Sequence, residues 1–456
     1  MENSFILKGV FCHTPSRENL EIRENACAVC LDCVCEGLFD EIPERYRGLP
    51  LIDCTDRLIV PGMVDLHIHA PQYSFIGTGM DYELLEWLDR MTFPAESRYE
   101  DEEYADKAYA FFADKMRRSA TTRAVVFGTI HRKSTLTLME HLENTGIISY
   151  VGKVNMDRNA PEYLLEPDAR SAAADTRLFL EEVLKRGFER TRPVITPRFA
   201  VSCTDELLDE LGKISKENAL PVQSHLSENP DEVRLVLSLC PSASFYGDVY
   251  DQHGLFGRET PCIMAHCVYS TDDEVALMRN NGVFVAHCPA SNINLASGIA
   301  PVRRYLETGM RVGLGTDVAA GNSESVFRAA TDAIQASKLY RLYVDHEAKP
   351  LTFPESFYLA TKGGGAFFGK VGSFEAGYEF DALVLDDLKE GYGTETAHTV
   401  SKKTEVPYNA GPDPCDIKAE QEKHASVRER LEKAFYLELD RTCIVRKFAA
   451  GKECAL

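Results

Sequence analysis

Between Pro61 and about residue 373, short apolar runs alternate with longer stretches in which apolar residues recur every three or four positions. The short runs are Val64–His67, Thr122–Gly128, Ile147–Lys153, Val194–Arg198, Val222–His225, Cys262–His266, Val283–His287 and Val312–Asp317. Each has the length and continuous apolarity of a strand covered on both faces. The stretches between them carry helical signals. Leu207, Leu208, Leu211 and Ile214 fall on one helix face. Thr271 and Glu274 form a capping-box pair, and Gly282 closes the same helix. Eight such βα units predict an α/β fold of the (β/α)8 TIM-barrel type.

The flanks read differently. Phe5–Phe11, Cys27–Val34 and Leu58–Val60 are short strand candidates separated by charged loops. At the other end, Asp381–Leu385 and Ile444–Ala449 read as strands, 406–416 as a loop rich in Pro, Gly, Asn and Asp, and Ser426–Leu437 as a helix. The expected organisation is a barrel over 61–373, with residues 1–60 and 374–456 joined into one smaller β-rich domain beside it.

Composition narrows the function classes. A chain of 456 residues with 44% hydrophobic content has ample material for a large core. Its net charge of -21 argues against nucleic acid and anionic membrane as partners. No basic-then-apolar leader stands at Met1–Val10, and no apolar run reaches the ~20 residues of a membrane span. A cytoplasmic protein with a small-molecule substrate is expected. Cys27, Cys30, Cys33 and Cys35 suggest a structural metal site at first sight. They alternate with small apolar residues as in a strand, however, and no second CxxC pair completes a ligand set.

The chemistry lies at the ends of the predicted strands. The first ends in His67-Ile68-His69, two imidazoles that an extended backbone points to one side. His225, His266, His287 and Asp317 end four others. Closing five apolar strands with titratable groups is costly unless something uses those groups, and neutral imidazoles with a carboxylate suit a divalent metal. The mouth formed by the C-terminal strand ends is where a barrel places its ligands.

This order of His-x-His, His, His and Asp resembles the amidohydrolase superfamily, specifically its mononuclear deaminase branch. The resemblance implies that His67, His69, His225 and Asp317 hold one metal, with zinc expected and iron left open. No lysine stands at the end of the fourth strand to bridge a second metal. Longer blocks are similar to the guanine deaminases. They are Pro61–Phe75, Trp87-Leu88, Thr92–Glu96, Thr196–Phe199, Gln223–Glu228 and Leu314–Ala319. The similarity implies hydrolytic deamination of guanine to xanthine and ammonia by a metal-activated water.

In that scheme Asp317 takes the water proton and Glu228 shuttles it to the ring and the leaving amine. His266 hydrogen-bonds the attacking oxygen. His69, Gln72, Arg198, Phe199, His225, Glu228 and Asp317 line the base, and Arg198 meets a carbonyl oxygen that an amine could not replace. A homodimer is expected from relatives. His287 is read as support from the seventh strand, and Cys267 and Cys288 as small fillers. His13, His141, His346 and His424 are expected at the surface. Deamination of adenosine-type nucleosides, triazine hydrolysis and a barrel that has lost its metal are the competing readings. Cytidine-deaminase chemistry is excluded, because no Pro-Cys-x-x-Cys pair is present.

Overall fold

The computed structural model describes residues 3–388 and 426–456. The chain opens with four strands, β1 (Phe5–Ser16), β2 (Asn19–Leu31), β3 (Val34–Phe39) and β4 (Leu51–Pro61). The parallel body has ten shorter strands, and its first nine follow. They are β5 (Met63–His69), β6 (Thr121–Phe127), β7 (Ile148–Gly152), β8 (Val154–Asn155), β9 (Thr191–Pro193), β10 (Thr196–Pro197), β11 (Val222–Leu226), β12 (Cys262–His266) and β13 (Phe284–His287). Then come β14 (Arg311–Leu314), β15 (Ala382–Leu385), β16 (Ile444–Ala449) and β17 (Lys452–Glu453).

Two parallel sheets, β5-β6-β7-β9 and β11-β12-β13-β14, make up the barrel wall. They meet where Ile195 bridges to Val222. On the opposite side the wall closes through Asp317 N–H donating to the His67 carbonyl at 2.8 Å and His69 N–H donating to the Val318 carbonyl at 3.2 Å. Val64 and Leu66, Ile263 and Ala265, and Phe284 and Ala286 fill one interior cluster with Phe367 and Val371. Their two-residue spacing marks the inward face of each strand. On β5 the parity changes above Leu66, where the pairing with β6 is irregular between Asp65 and Ile68. His67 and His69 therefore share the mouth although Val64 and Leu66 occupy the barrel floor.

Of the fourth predicted strand, Val194–Arg198, only Thr196-Pro197 forms a strand, β10, while β9 lies just before it at Thr191–Pro193. Thr196-Pro197 leaves the line of β9 to pair with β8, and Pro193 and Pro197 carry no N–H for a continuous ladder. The helix Asp205–Asn218 buries Leu207, Leu208, Leu211 and Ile214 as expected. The capping box predicted for the helix Asp272–Asn281 is only half made. Thr271 accepts from Glu274 N–H, but the Glu274 carboxylate instead accepts from Gly247 N–H and Ser227 Oγ.

Beside the barrel, one seven-stranded sheet runs β17-β16-β15-β4-β1-β2-β3, uniting strands from both chain ends. Phe5, Phe11, Phe374, Phe380 and Phe448 form its core. The predicted strand Cys27–Val34 is in fact a hairpin. Asp32 and Cys33 take positive φ of 46° and 71° and reverse the chain, so Cys30 pairs across to Cys35. Among the described residues these four cysteines form no metal-ligating group.

His13 is another correction. It is not at the surface but buried, its Nδ1 3.1 Å from Ser373 Oγ between the sheet and the barrel. His141 is half-buried and His346 exposed. His424 and the loop 406–416 lie outside the described residues. No described helix is long and apolar enough to cross a membrane.

Candidate active site

His67 and His69 close β5, His225 stands one residue before the end of β11, His266 closes β12, and Asp317 lies three residues past β14. The backbone turns sharply where these strands end. Ser227, His266, Cys267 and Asp317 have φ of 47°, 72°, 52° and 48°, the left-handed region that non-glycine residues adopt at a cost of about 1–3 kcal/mol each. The surrounding hydrogen bonds hold them there. Asp65, fully buried at the centre of β5, accepts from Thr316 N–H at 3.0 Å, Thr316 Oγ1 at 2.6 Å and His67 N–H at 3.2 Å.

The donor atoms converge. Nε2 of His69 lies 3.2 Å from Nε2 of His67 and 3.2 Å from Nε2 of His225. Oδ1 of Asp317 lies 3.2 Å from Nε2 of His67 and 3.3 Å from Nε2 of His69. His225 Nδ1–H donates to the Arg198 carbonyl at 2.6 Å, which leaves its Nε2 as a bare lone pair. Burial pushes His67 and His225 below the usual imidazole range and His69 down to about 4, so the rings are neutral. Burial alone would raise the Asp317 carboxyl, but the imidazoles of His67 and His69 hold it well below the usual carboxylate range.

Three neutral nitrogens and a carboxylate oxygen at such separations repel one another unless a cation lies between them. Zinc–ligand bonds of about 2.0–2.2 Å in a tetrahedron place the ligands about 3.3–3.6 Å apart, close to the spacing found. The donor set fits one divalent metal. An overlapping group of His67, His266, Cys288 and Asp317 is less suited. Burial pushes the Cys288 thiol well up, and its Sγ lies 3.5 Å from the Ala286 carbonyl, so it keeps its proton.

Around this cluster stand the acid–base candidates. Glu228 is buried, and that burial together with the nearby Asp317 charge lifts its carboxyl well above the usual range. Ser297 Oγ donates to its Oε1 at 3.2 Å, and its Oε2 lies 3.4 Å from His266 Nε2. Its backbone N–H donates to Glu232 Oε2 at 2.9 Å. His266 Nδ1 is 2.8 Å from Asn292 Oδ1, and its Nε2 is 3.8 Å from Asp317 Oδ2.

A cavity opens over these groups, and its wall includes His69, Gln72, Trp87, Arg198, Phe199 and Leu295. Gln72 and Arg198, far apart in sequence, both bond to Glu96.

A model of the Amidohydrolase family matches residues 58–411. The chain belongs to this family. It is 42% identical to guanine deaminase of Mus musculus, over 72% of each chain, and 40% identical to that of Dictyostelium discoideum, over 74% of each. It also superposes on a crystal structure of guanine deaminase from C. acetobutylicum with guanine bound in the active site. There the TM-score is 0.89 at 41% identity, covering 99% of this chain and 100% of that one.

Within this amidohydrolase every residue singled out from sequence for metal, acid–base or base-binding work reaches the same mouth or its cavity wall. His287 does not line the cavity. It is buried, its Nδ1 has no partner, and burial pushes it down to about 3, so it stays neutral. Four contributors were not singled out in sequence: Asp65, Glu96, Asn292 and Ser297. Asp65 and Glu96 sit inside the blocks given above, but nothing in their spacing announces a partner 102 residues away, as Arg198 is from Glu96.

Proposed function

We propose that this chain hydrolyses guanine to xanthine and ammonia, using one zinc ion held by His67, His69, His225 and Asp317. The observation that carries the reading is a four-donor cluster and a buried glutamic acid, Glu228, sharing one cavity with Gln72, Arg198 and Phe199. The identity to guanine deaminases supports the substrate. The metal, when bound, supplies a water acidified to near neutral pH.

The protein's own groups do the rest. Asp317 offers Oδ1 to the cluster and leaves Oδ2 facing His266, free to accept a proton from the attacking water. Glu228, kept protonated by burial, donates to a ring nitrogen of the base and then carries a proton to the departing amine. His266 Nε2 holds the attacking oxygen in place between Glu228 and Asp317. Arg198 donates to the guanine carbonyl, Gln72 bonds the ring edge, and Phe199 walls its face. The leaving amine is on the carbon between two ring nitrogens, where protonation by Glu228 makes the ring electrophilic. We take the enzyme to be a cytoplasmic homodimer.

An ultraviolet assay of the zinc-loaded protein with guanine, adenine, adenosine and cytosine tests the reading. Guanine alone should be converted, and Glu228→Gln should lower kcat by about 10²–10⁴-fold. Turnover of another base with silence on guanine would refute the assignment of Gln72 and Arg198.

A further inference from the structure

Glu96 belongs to neither the metal cluster nor the proton transfers, yet it is 1% exposed and makes three strong hydrogen bonds. Arg198 Nη1 donates to its Oε2 at 2.5 Å, Arg198 Nη2 to its Oε1 at 3.1 Å, and Gln72 Nε2 to its Oε1 at 3.0 Å. At the other end of the same amide, Gln72 Oε1 accepts from Ala319 N–H at 3.1 Å. The Arg198 guanidinium also lies over the Phe93 ring, 5.4 Å from its centre.

A side-chain amide can turn over at little cost unless its neighbours distinguish its two ends. Here an anion takes one end and a backbone donor the other. A flip would set oxygen against carboxylate and NH₂ against N–H. Gln72 therefore presents one N–H and one lone pair in fixed places. Arg198 has five donors in a planar fork, and the two that Glu96 engages fix the plane in which the others lie. The carboxylate also balances the guanidinium charge, so the cavity suits a neutral base.

We propose that Glu96 is the positioning residue of the purine pocket: it sets which donors Gln72 and Arg198 show to the base, and so it determines selection for a carbonyl-bearing edge. This rests on the guanine reading given above. Glu96 acts only through its two partners, and its loss frees the fork and the amide to reorient. A base with a carbonyl at that edge then loses more than one without.

The test compares zinc-loaded wild type, Glu96→Gln and Glu96→Asp on guanine and on 2-aminopurine, which has the same amine on the same ring carbon but no carbonyl. Glu96→Gln should raise the KM for guanine about tenfold or more with kcat within about threefold, and should cut the kcat/KM preference for guanine over 2-aminopurine about tenfold. Glu96→Asp keeps the charge on a shorter stem and should recover part of the preference. An unchanged preference in a folded variant overturns the proposal. So does a fall in kcat and in both kcat/KM values alike.

Should Glu96→Gln fail to fold, Glu96→Asp carries the comparison, and the wild type supplies an independent check. In a crystal of the wild type with xanthine, Arg198 and Gln72 must still bond Glu96. An Arg198 that leaves Glu96 for the ligand overturns the proposal. A wild type that ignores guanine altogether refutes instead the function proposed above.

Discussion

His266 has two ring nitrogens, and only one is committed inside the protein. Nδ1 faces Asn292 Oδ1 at 2.8 Å, while Nε2 has no hydrogen-bond partner although it is buried. An imidazole whose Nδ1–H is held by an amide oxygen keeps Nε2 as a lone pair directed at whatever enters the site. Asn292 thus sets the tautomer. Asn292→Ala should lower kcat by about 10–100-fold, the usual cost of losing a partner that orients an active-site histidine, with the KM for guanine little changed. Steady-state kinetics check this, and an unaltered kcat would separate Asn292 from His266's role.

Asp440 gives a stability prediction at the same scale. Its Oδ2 accepts from Ser325 Oγ at 2.7 Å, its Oδ1 has no partner, and burial raises its carboxyl to about 7. The folded protein therefore binds a proton here that the unfolded chain, near 3.8, releases earlier. The stability this contributes is full below pH 4 and is lost as pH rises through 7. Asp440→Asn mimics the protonated acid. It should converge on wild type as the pH falls to 4 and exceed its Tm at pH 8 by about 1–3 °C. Thermal scans at the two pH values decide it, and equal Tm at pH 8 would count against the burial argument.

Among elements, the junction between β6 and β15 shows what joins barrel to flanking sheet. Arg123 on β6 donates to both oxygens of Asp381, at 2.7 and 2.8 Å, and to Glu379 at 2.9 Å. Asp381 accepts also from Thr122 Oγ1 and Ala450 N–H, so three chain segments, at 122–123, 381 and 450, meet on one carboxylate. Removing one partner of a buried pair costs about 3–5 kcal/mol, because the other charge is left uncompensated. Asp381→Ala should destabilise by that order in chemical denaturation while leaving the kcat of the folded fraction unchanged.

Nothing in the sequence pairs Arg123 with Asp381, which is 258 positions away. The strands themselves were legible, since Cys262–His266 and Ile444–Ala449 form over the predicted residues. So were the histidines and Asp317, because titratable groups ending apolar runs stand out against their context. What stayed hidden depends on backbone geometry. The break between β9 and β10 and the turn at Asp32–Cys33 are conformational choices that hydrophobic period does not encode. Glu96 and Asp65 read as ordinary polar residues until their distant partners are placed. His13 failed for the same reason, as a lone polar residue on a strand gives no sign that another layer will cover it.

At the scale of the whole molecule, the metal ligands span the barrel's closing seam. His67 and His69 come from its first strand and Asp317 follows its last, and the two are stitched by Asp317 N–H to His67 O and His69 N–H to Val318 O. His225 reaches the same point from β11, on the second of the two sheets. Without a cation, the neutral imidazoles and the carboxylate are held at repulsive separations by the rest of the fold, including four left-handed residues and the buried Asp65. A metal that binds this arrangement and not the unfolded chain stabilises it by RT ln(1 + [M]/Kd), about 4 kcal/mol at a thousandfold excess over Kd. Chelation should therefore abolish guanine turnover and also lower the Tm, and stoichiometric zinc should restore both. Asp65→Asn, which weakens the bonds holding Thr316 and the His67 backbone but removes no ligand, should need more zinc to reach the same Tm. If chelation leaves Tm unchanged while activity is lost, the seam is closed by the protein alone and the metal serves chemistry only.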